Sequence, residues 1–194
     1  MSFLDVYFAL NLDPNLVLAG VFDPWLVCLS VVIAIFASVS ALHLIDLAKT
    51  IPNKGLKQAI ILVASCALGL GIWSMHFIGM LAFALCIPVS YNPGITLLSA
   101  IPGVFACWCA LELLSKKSLT RTQFILGGTL VGAGIGAMHY TGMASMEMSL
   151  ALRYDPAGYA ISIIIAVFLA VLALYSRYGL RRWFPNISNF FSLL

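Results

Sequence analysis

The sequence is poor in charge. Only 9% of its 194 residues are Asp, Glu, Lys or Arg, whereas 62% are hydrophobic. A soluble domain of this length could not bury so much apolar surface in one core, so the composition predicts a protein whose solvent is lipid. The ten Lys and Arg residues are scattered between long apolar runs. Because they form no basic face or stripe, nucleic acid is excluded as a partner.

Two further patterns are absent. The five cysteines include no C-x-x-C spacing, so nothing indicates a zinc site, a redox pair or c-type haem attachment. We expect Cys28, Cys66, Cys86, Cys107 and Cys109 to be small buried hydrophobic residues. No Lys or Arg precedes the first apolar run, so we expect no cleaved signal peptide and a first helix that remains in the protein.

Long apolar runs are what the sequence does have. About 20 helical residues are needed to cross roughly 30 Å of hydrocarbon, and five runs reach that length. These runs lie near residues 25–48, 57–86, 94–114, 123–149 and 158–178. The sequence therefore predicts an all-α, polytopic membrane bundle of about five transmembrane helices, forming a single domain over residues 1–194. Residues 183–194 are interpreted as an interfacial tail or the start of a truncated sixth helix.

The basic residues are concentrated in alternate connections. Those that follow the first, third and fifth runs are Lys49, Lys54, Lys57, Lys116, Lys117, Arg121, Arg177, Arg181 and Arg182. The remaining connections carry only Arg153, which stands beside Asp155. By the positive-inside rule, the N-terminus is outside the membrane and the C-terminus is inside.

An internal repeat spans two helices. Residues 71–80 (Gly-Ile-Trp-Ser-Met-His-Phe-Ile-Gly-Met) match residues 134–143 (Gly-Ile-Gly-Ala-Met-His-Tyr-Thr-Gly-Met) at an offset of 63 positions. The turn Tyr-Asn-Pro at 91–93 recurs as Tyr-Asp-Pro at 154–156 with the same offset. A third copy, Phe-Asp-Pro at 22–24, aligns the first helix with the third and fifth rather than with the histidine-bearing helices.

The repeated motif contains a histidine at an equal depth in each copy. His76 and His139 each lie about ten residues, or about 15 Å, from the outer ends of the second and fourth helices. Spacing of four residues places Met80 on the same face as His76 and Met143 on the same face as His139, with Glu147 one turn further along. The remaining internal methionines also belong to these two segments: Met75, Met138, Met146 and Met148.

Imidazole and thioether groups together form a soft donor set. This set suits copper, especially the reduced ion, better than magnesium, calcium or zinc. Ionisable side chains within a membrane are costly and usually face a bundle interior or a cavity. We therefore predict a copper site. Its candidate ligands are His76, His139, Met75, Met138, Met80 and Met143, and its lesser candidates are Tyr140, Glu147, Met146 and His43.

Other interpretations of these residues remain open. Two histidines at one depth on parallel helices could be the axial ligands of haem b, or each could simply hydrogen-bond a neighbouring helix. Tyr140 could fix an imidazole tautomer through a hydrogen bond. His43 and Glu112 occupy equivalent places near the cytoplasmic ends of the first and third helices, where a polar side chain more often reaches the interface or pairs than binds a ligand.

The sequence resembles a known family at these motifs. Met138-His139-Tyr140-Thr141 spells the signature of the MHYT domain, and the second copy at Met75 and the Tyr-Asp-Pro turns are also similar to that family over about residues 20–182. The resemblance implies a sensory domain of the bacterial cytoplasmic membrane. Such a domain is proposed to bind copper through the Met and His of the motif and to perceive oxygen, carbon monoxide or nitric oxide.

The resemblance also implies partners. Family members often precede cytoplasmic enzymes that make or degrade cyclic di-GMP, and they usually carry a third motif on a sixth helix. Here Phe77-Ile78 replaces Tyr-Thr in the first copy, and no enzyme domain is expected within this sequence. The expected partners are the lipid bilayer, a diatomic gas, and a cytoplasmic signalling protein or a second copy of the chain. The alternatives are a haem b electron carrier or enzyme, a transporter, and a structural membrane subunit.

Overall fold

A computed structural model describes residues 20–85, 87–116, 120–148 and 154–183. The predicted tail at 183–194 therefore lies outside the described residues except for Trp183, as do Cys86, Lys117 and Arg153. The elements in chain order are β1 (Gly20–Phe22), α1 (Pro24–Thr50), α2 (Lys54–Ala82), β2 (Phe83–Leu85), β3 (Ser90–Tyr91), α3 (Pro93–Leu98), α4 (Ala100–Ser115), α5 (Arg121–Ala144), β4 (Met146–Glu147) and α6 (Pro156–Trp183).

The described chain is a bundle of long apolar helices, as predicted. Four segments are long and apolar enough to cross a membrane: Pro24–Thr50, Lys54–Ala82, Pro93–Ser115 and Pro156–Ser176. Helix α5 has 24 residues and packs against α4 and α6. Its six glycines lower its hydropathy, and it is not among the four. The membrane bundle is thus confirmed, and a fifth span at α5 stays a prediction.

Four short strands were missed by the all-α prediction. The second and fourth predicted helices extended to residues 86 and 149, whereas α2 ends at Ala82 and α5 ends at Ala144. The residues that follow form β2 and β4, which pair antiparallel with β1 and β3. A short apolar run does not reveal by its periodicity whether it is helix or strand. We call the end of the bundle that carries these strands the outer end.

The sequence repeat is reproduced in the hydrogen bonding of the outer end. The side chain of Asp23 accepts from the first backbone N–H groups of α1, and Asn92 caps α3 in the same way. The backbone N–H of Asp23 donates to the carbonyl of Ala82, and that of Asn92 donates to the carbonyl of Ser145, each at 2.8 Å. Ala82 and Ser145 are 63 positions apart. Both of these Asx-Pro turns are therefore held against the end of the next motif-bearing helix along the chain, α2 for Asp23 and α5 for Asn92.

Glycines allow two equivalent helix crossings. A Cβ atom at Gly69 would lie 2.5 Å from the Cα of Val104 on α4, and one at Gly132 would lie 2.5 Å from the Cα of Val167 on α6. Both members of the second pair lie 63 positions after those of the first. Backbones this close need glycine. Gly136 is different, because a Cβ there would meet nothing within 4 Å, so the close approach of α5 and α6 at Gly132 does not extend to it.

The most tightly packed part of the bundle is the inner half, next to the basic connections. Its core consists of side chains from α1, α2 and α4 that are at most 1% exposed: Ala41, Ile45, Ala48, Ile61, Ala64 and Leu111. The prediction that the cysteines are buried holds for Cys107 only among those described. Cys66 and Cys109 are half-buried, and Cys28 is exposed. Because lipid is as apolar as the interior of the bundle, a thiol on a lipid-facing surface gains little free energy from burial.

Candidate metal centre

The structure brings the two repeated histidines together. His76 on α2 and His139 on α5 have ring centroids 4.8 Å apart, with their planes tilted by 58°. Both residues lie in the outer half of the bundle, close to the ends of their helices. The prediction that the two imidazoles meet between helices is confirmed.

The His76 ring is held between α5 and an aromatic side chain of its own helix. A Cβ atom at Gly142 would lie 2.9 Å from Nε2 of His76, so only glycine leaves the ring its present place. Phe77 contacts His76 edge-on at 5.3 Å between centroids, and Trp73 contacts Phe77 at 5.0 Å. The indole N–H of Trp73 donates to the hydroxyl of Ser99 at 3.0 Å. This bond connects the aromatic cluster of α2 to the segment Pro93–Ser115.

One nitrogen of the site lacks a partner. Nε2 of His76 is buried and makes no hydrogen bond within the described part of the chain. A buried polar atom without a hydrogen bond costs free energy, and such atoms are rare in folded proteins. A neutral imidazole nitrogen can offer its lone pair to a metal ion. The unpaired nitrogen therefore fits a site that takes a ligand.

Thioethers surround the imidazoles. A cavity of about 360 Å³ is lined by both histidines and by four methionines, Met75, Met80, Met143 and Met146. Its lining also includes three aromatic side chains of the outer end, Phe22, Phe83 and Tyr91. These rings come from strands β1, β2 and β3, so the strands that sequence reasoning missed cover the site. The arrangement can offer nitrogen and sulfur donors to one ion in an apolar setting.

Met138 lies apart from the other methionines. It is 2% exposed, and its sulfur lies 3.0 Å from where a Cβ atom at Gly103 would be, so its side chain packs against α4. It lines a second cavity of about 290 Å³, together with Met75, His139 and other residues. Among the six candidate metal ligands, Met138 is therefore the one that does not line the main cavity.

Tyr140 binds the neighbouring helix rather than an imidazole. Its hydroxyl hydrogen-bonds the hydroxyl of Ser162. Ser162 in turn donates to the carbonyl of Tyr159 at 2.8 Å, so Tyr140 is the donor. The Tyr140 hydroxyl thus bonds Ser162 rather than a histidine, the alternative that the sequence left open. The Tyr140 ring instead stands edge-on to His139 at 4.9 Å and limits the movement of that imidazole.

Two other candidates lie away from the histidines. Glu147 belongs to strand β4, is exposed, and accepts a hydrogen bond from the amide of Asn92 at 3.2 Å. It was predicted one helical turn beyond Met143, but α5 ends at Ala144. His43 is exposed on α1 in the inner half of the bundle. Neither of these two side chains lines the cavity around the imidazoles.

No carboxylate or thiol side chain lines the cavity around the imidazoles. Within the ranges that the structure describes, no group of three or more His, Cys, Asp or Glu side chains could hold a metal ion. The nitrogen and sulfur donors at this site are thus the two imidazoles and the thioethers, and the hydroxyls of Ser30 and Tyr91 are the oxygen-bearing side chains of the lining. Sequence reasoning missed the contribution of Gly142, although the repeat places Gly79 in the equivalent position and could have drawn attention to both.

Comparison with known proteins supplies the family. Residues 69–127 and 132–188 match the MHYT family model, described as a bacterial signalling protein N-terminal repeat. The chain belongs to the MHYT family. The two matched stretches correspond to the two copies of the motif, and the MHYT assignment together with the apolar helices makes the chain a multi-pass domain of the bacterial cytoplasmic membrane. No solved structure matches it.

The MHYT chain is similar to parts of longer signalling proteins. It is 42% identical over 158 residues to the bifunctional diguanylate cyclase/cyclic di-GMP phosphodiesterase MucR of Pseudomonas aeruginosa, covering 80% of this chain and 23% of that protein. It is 36% identical over 155 residues to the signaling protein YkoW of Bacillus subtilis, covering 79% and 19%. It is 34% identical over 154 residues to the cyclic di-GMP phosphodiesterase NbdA of Pseudomonas aeruginosa, again covering 79% and 19%. The chain thus spans about a fifth of the length of these relatives.

Proposed function

We propose that this MHYT domain is a membrane sensor that holds a copper ion between His76 and His139. The contact between the two imidazoles, inside a cavity lined by four methionines, is the observation that supports this function best. Thioethers favour the reduced ion, and imidazoles accept both oxidation states. When bound, copper supplies one-electron redox chemistry and a position for a diatomic gas such as oxygen, carbon monoxide or nitric oxide.

The ring separation fits one shared ion. With metal–nitrogen bonds of about 2.0 Å, two imidazoles at a tetrahedral angle have centroids about 5 Å apart. The separation in this chain is 4.8 Å. The buried Nε2 of His76, which lacks a hydrogen bond within the described residues, is available as a donor. Gly142 and Phe77 hold that imidazole in place, and Phe22 and Phe83 help to keep water away from it.

The same contact disfavours haem b. Ring centroids 4.8 Å apart lie within the range of directly touching aromatic pairs. A porphyrin placed between His76 and His139 would require the two helices to separate.

Transport is disfavoured by the inner half, because a path across the bundle would have to open the core around Ile45 and Ile61. Copper binding between the two imidazoles requires neither rearrangement.

The signal would be passed to a cytoplasmic enzyme. Two relatives carry names that describe turnover of cyclic di-GMP. We propose that binding or oxidation at the copper site changes the packing of α2 against α5 and that this change reaches such an enzyme, in a longer chain or as a separate partner. Sensing of this kind requires two helix arrangements with different affinities for the bound group.

Copper content and the optical spectrum of the purified protein test the proposal. We expect copper to remain with the wild-type protein after desalting and to be lost in His76→Ala and His139→Ala. His43→Ala is the matched control, because this histidine is exposed on α1 and far from the site. Equal copper in all four proteins, or a Soret band from haem in the wild type, would overturn the proposal.

A further inference from the structure

A separate cleft lies in the inner half of the bundle, between α4 and α5. It has a volume of about 340 Å³ and an apolar lining that includes Trp108, Leu126 and Leu130. These three side chains are 40%, 65% and 46% exposed, so the cleft opens towards the surrounding lipid. On α5 the lining continues from Gln123 at the inner end to Leu130 two turns deeper, a length that accommodates part of an acyl chain.

One carboxylate faces this cleft without a strong partner. Oε1 of Glu112 receives only a long hydrogen bond, 3.5 Å, from the amide of Gln58 on α2. Oε2 is buried and has no hydrogen-bond partner among the described residues. A desolvated carboxylate oxygen needs a donor, and a cationic donor compensates it best. The inner end of the cleft therefore calls for an ammonium group.

Two cations stand at the inner ends of the two helices that form the cleft. Lys116 follows Glu112 by one turn at the end of α4, and Arg121 begins α5; both are exposed. Across the described ranges, neither forms an ion pair with Glu112. A zwitterionic headgroup matches this pattern, with its ammonium at the carboxylate and its phosphate at the two cations. The charges thus select a zwitterionic lipid headgroup, and the apolar cleft accommodates the acyl chain of that lipid.

We propose that the cleft binds one phospholipid with a primary-ammonium headgroup, of the phosphatidylethanolamine type, from the leaflet at the basic end of the bundle. A primary ammonium offers three N–H donors to Glu112, whereas a quaternary choline offers none. A headgroup with net negative charge, such as phosphatidylglycerol, would meet the carboxylate unfavourably. The site therefore discriminates by donor as well as by charge.

Native mass spectrometry of the delipidated full chain, titrated in turn with phosphatidylethanolamine, phosphatidylcholine and phosphatidylglycerol, tests the proposal. We expect the wild type to bind phosphatidylethanolamine about tenfold more tightly than the other two lipids. Glu112→Gln should remove this preference without changing side-chain volume. Asp46→Asn is the matched control, because it removes a carboxylate from the inner half of α1 that pairs with Lys49 and should leave the preference intact.

A second variant covers the steric part of the proposal. Leu126→Trp places a large side chain in the cleft and should weaken binding of all three lipids to the same level. Equal affinity of the wild type for the three lipids, or an unchanged preference in Glu112→Gln, would overturn the proposal and indicate non-specific surrounding lipid. Copper content is measured on the same preparations and is expected to be unchanged, so failure here is distinguishable from failure of the copper site.

Discussion

The inner and outer halves of the bundle are built from the same repeat but packed differently. The inner half is closed by alanine, isoleucine and leucine side chains that are at most 1% exposed. The outer half contains two cavities on either side of an imidazole pair. Tight packing among α1, α2 and α4 in the inner half fixes the spacing of these helices, whereas the space between α2 and α5 in the outer half leaves room for an ion. We infer that the inner half acts as the scaffold on which the site is held.

The repeat itself is broken where the site lies. Gly142 packs directly against His76, whereas the equivalent Gly79 lies beside the cavity with nothing within 4 Å of an added Cβ. By contrast, the helix crossings at Gly69 and Gly132 are the same in both units. Symmetry is thus preserved where helices support one another and lost where a ligand would bind.

The largest expected effect is on a helix crossing. Gly132→Ala places a Cβ atom 2.5 Å from the backbone of Val167, and because a backbone cannot yield cheaply we expect a loss of about 3 kcal/mol of stability. Gly136→Ala, one turn away with nothing within 4 Å, is the control and should be neutral. Thermal unfolding in detergent measures both. Equal stability of the two variants would show that the crossing is not close.

A truncation in the inner core should have the next largest effect. Ile45 is 1% exposed, and Ile45→Ala leaves a cavity that costs about 2 kcal/mol, mainly through lost packing since lipid is as apolar as the core. Thermal unfolding measured with and without copper distinguishes a loss of stability in the inner core from a loss of copper binding. The copper stoichiometry should be retained at temperatures below unfolding. Loss of copper in a protein that is still folded would contradict the division between the halves.

The third effect distinguishes the two repeated glycines. Gly142→Ala displaces the His76 ring, so copper affinity should fall by about tenfold, whereas Gly79→Ala should change it little. Competition with a chromophoric copper chelator measures both affinities. If the two variants bind copper equally, then the position of the His76 ring is not important for the site.

The smallest effect is expected at Tyr140. Tyr140→Phe removes the hydrogen bond to Ser162 but keeps the ring against His139, so stability should fall by about 0.6 kcal/mol with no change in copper affinity. Unfolding and chelator competition on one preparation check both quantities. A large loss of copper affinity would instead show that the Tyr140 hydroxyl acts on the site.

Helical geometry explains how much the sequence could predict. The equal depth of His76 and His139 follows from the rise per residue, and the Asx-Pro turns mark where helices begin, so the bundle and the meeting of the imidazoles could be foreseen. The strands could not, because they are only two or three residues long, too short for periodicity to distinguish them from the ends of helices. The direction of Met138 and the partner of Tyr140 depend on how neighbouring helices are rotated, which spacing along one helix does not determine.

X-ray absorption at the copper edge tests the central claim most directly. The copper-loaded wild type should show two imidazole nitrogens at about 2.0 Å and sulfur scattering at about 2.3 Å. His139→Ala should lose imidazole scattering, whereas His43→Ala should give the wild-type spectrum. A wild-type spectrum with only oxygen neighbours, or one unchanged by His139→Ala, would contradict a copper centre formed by the two repeated histidines.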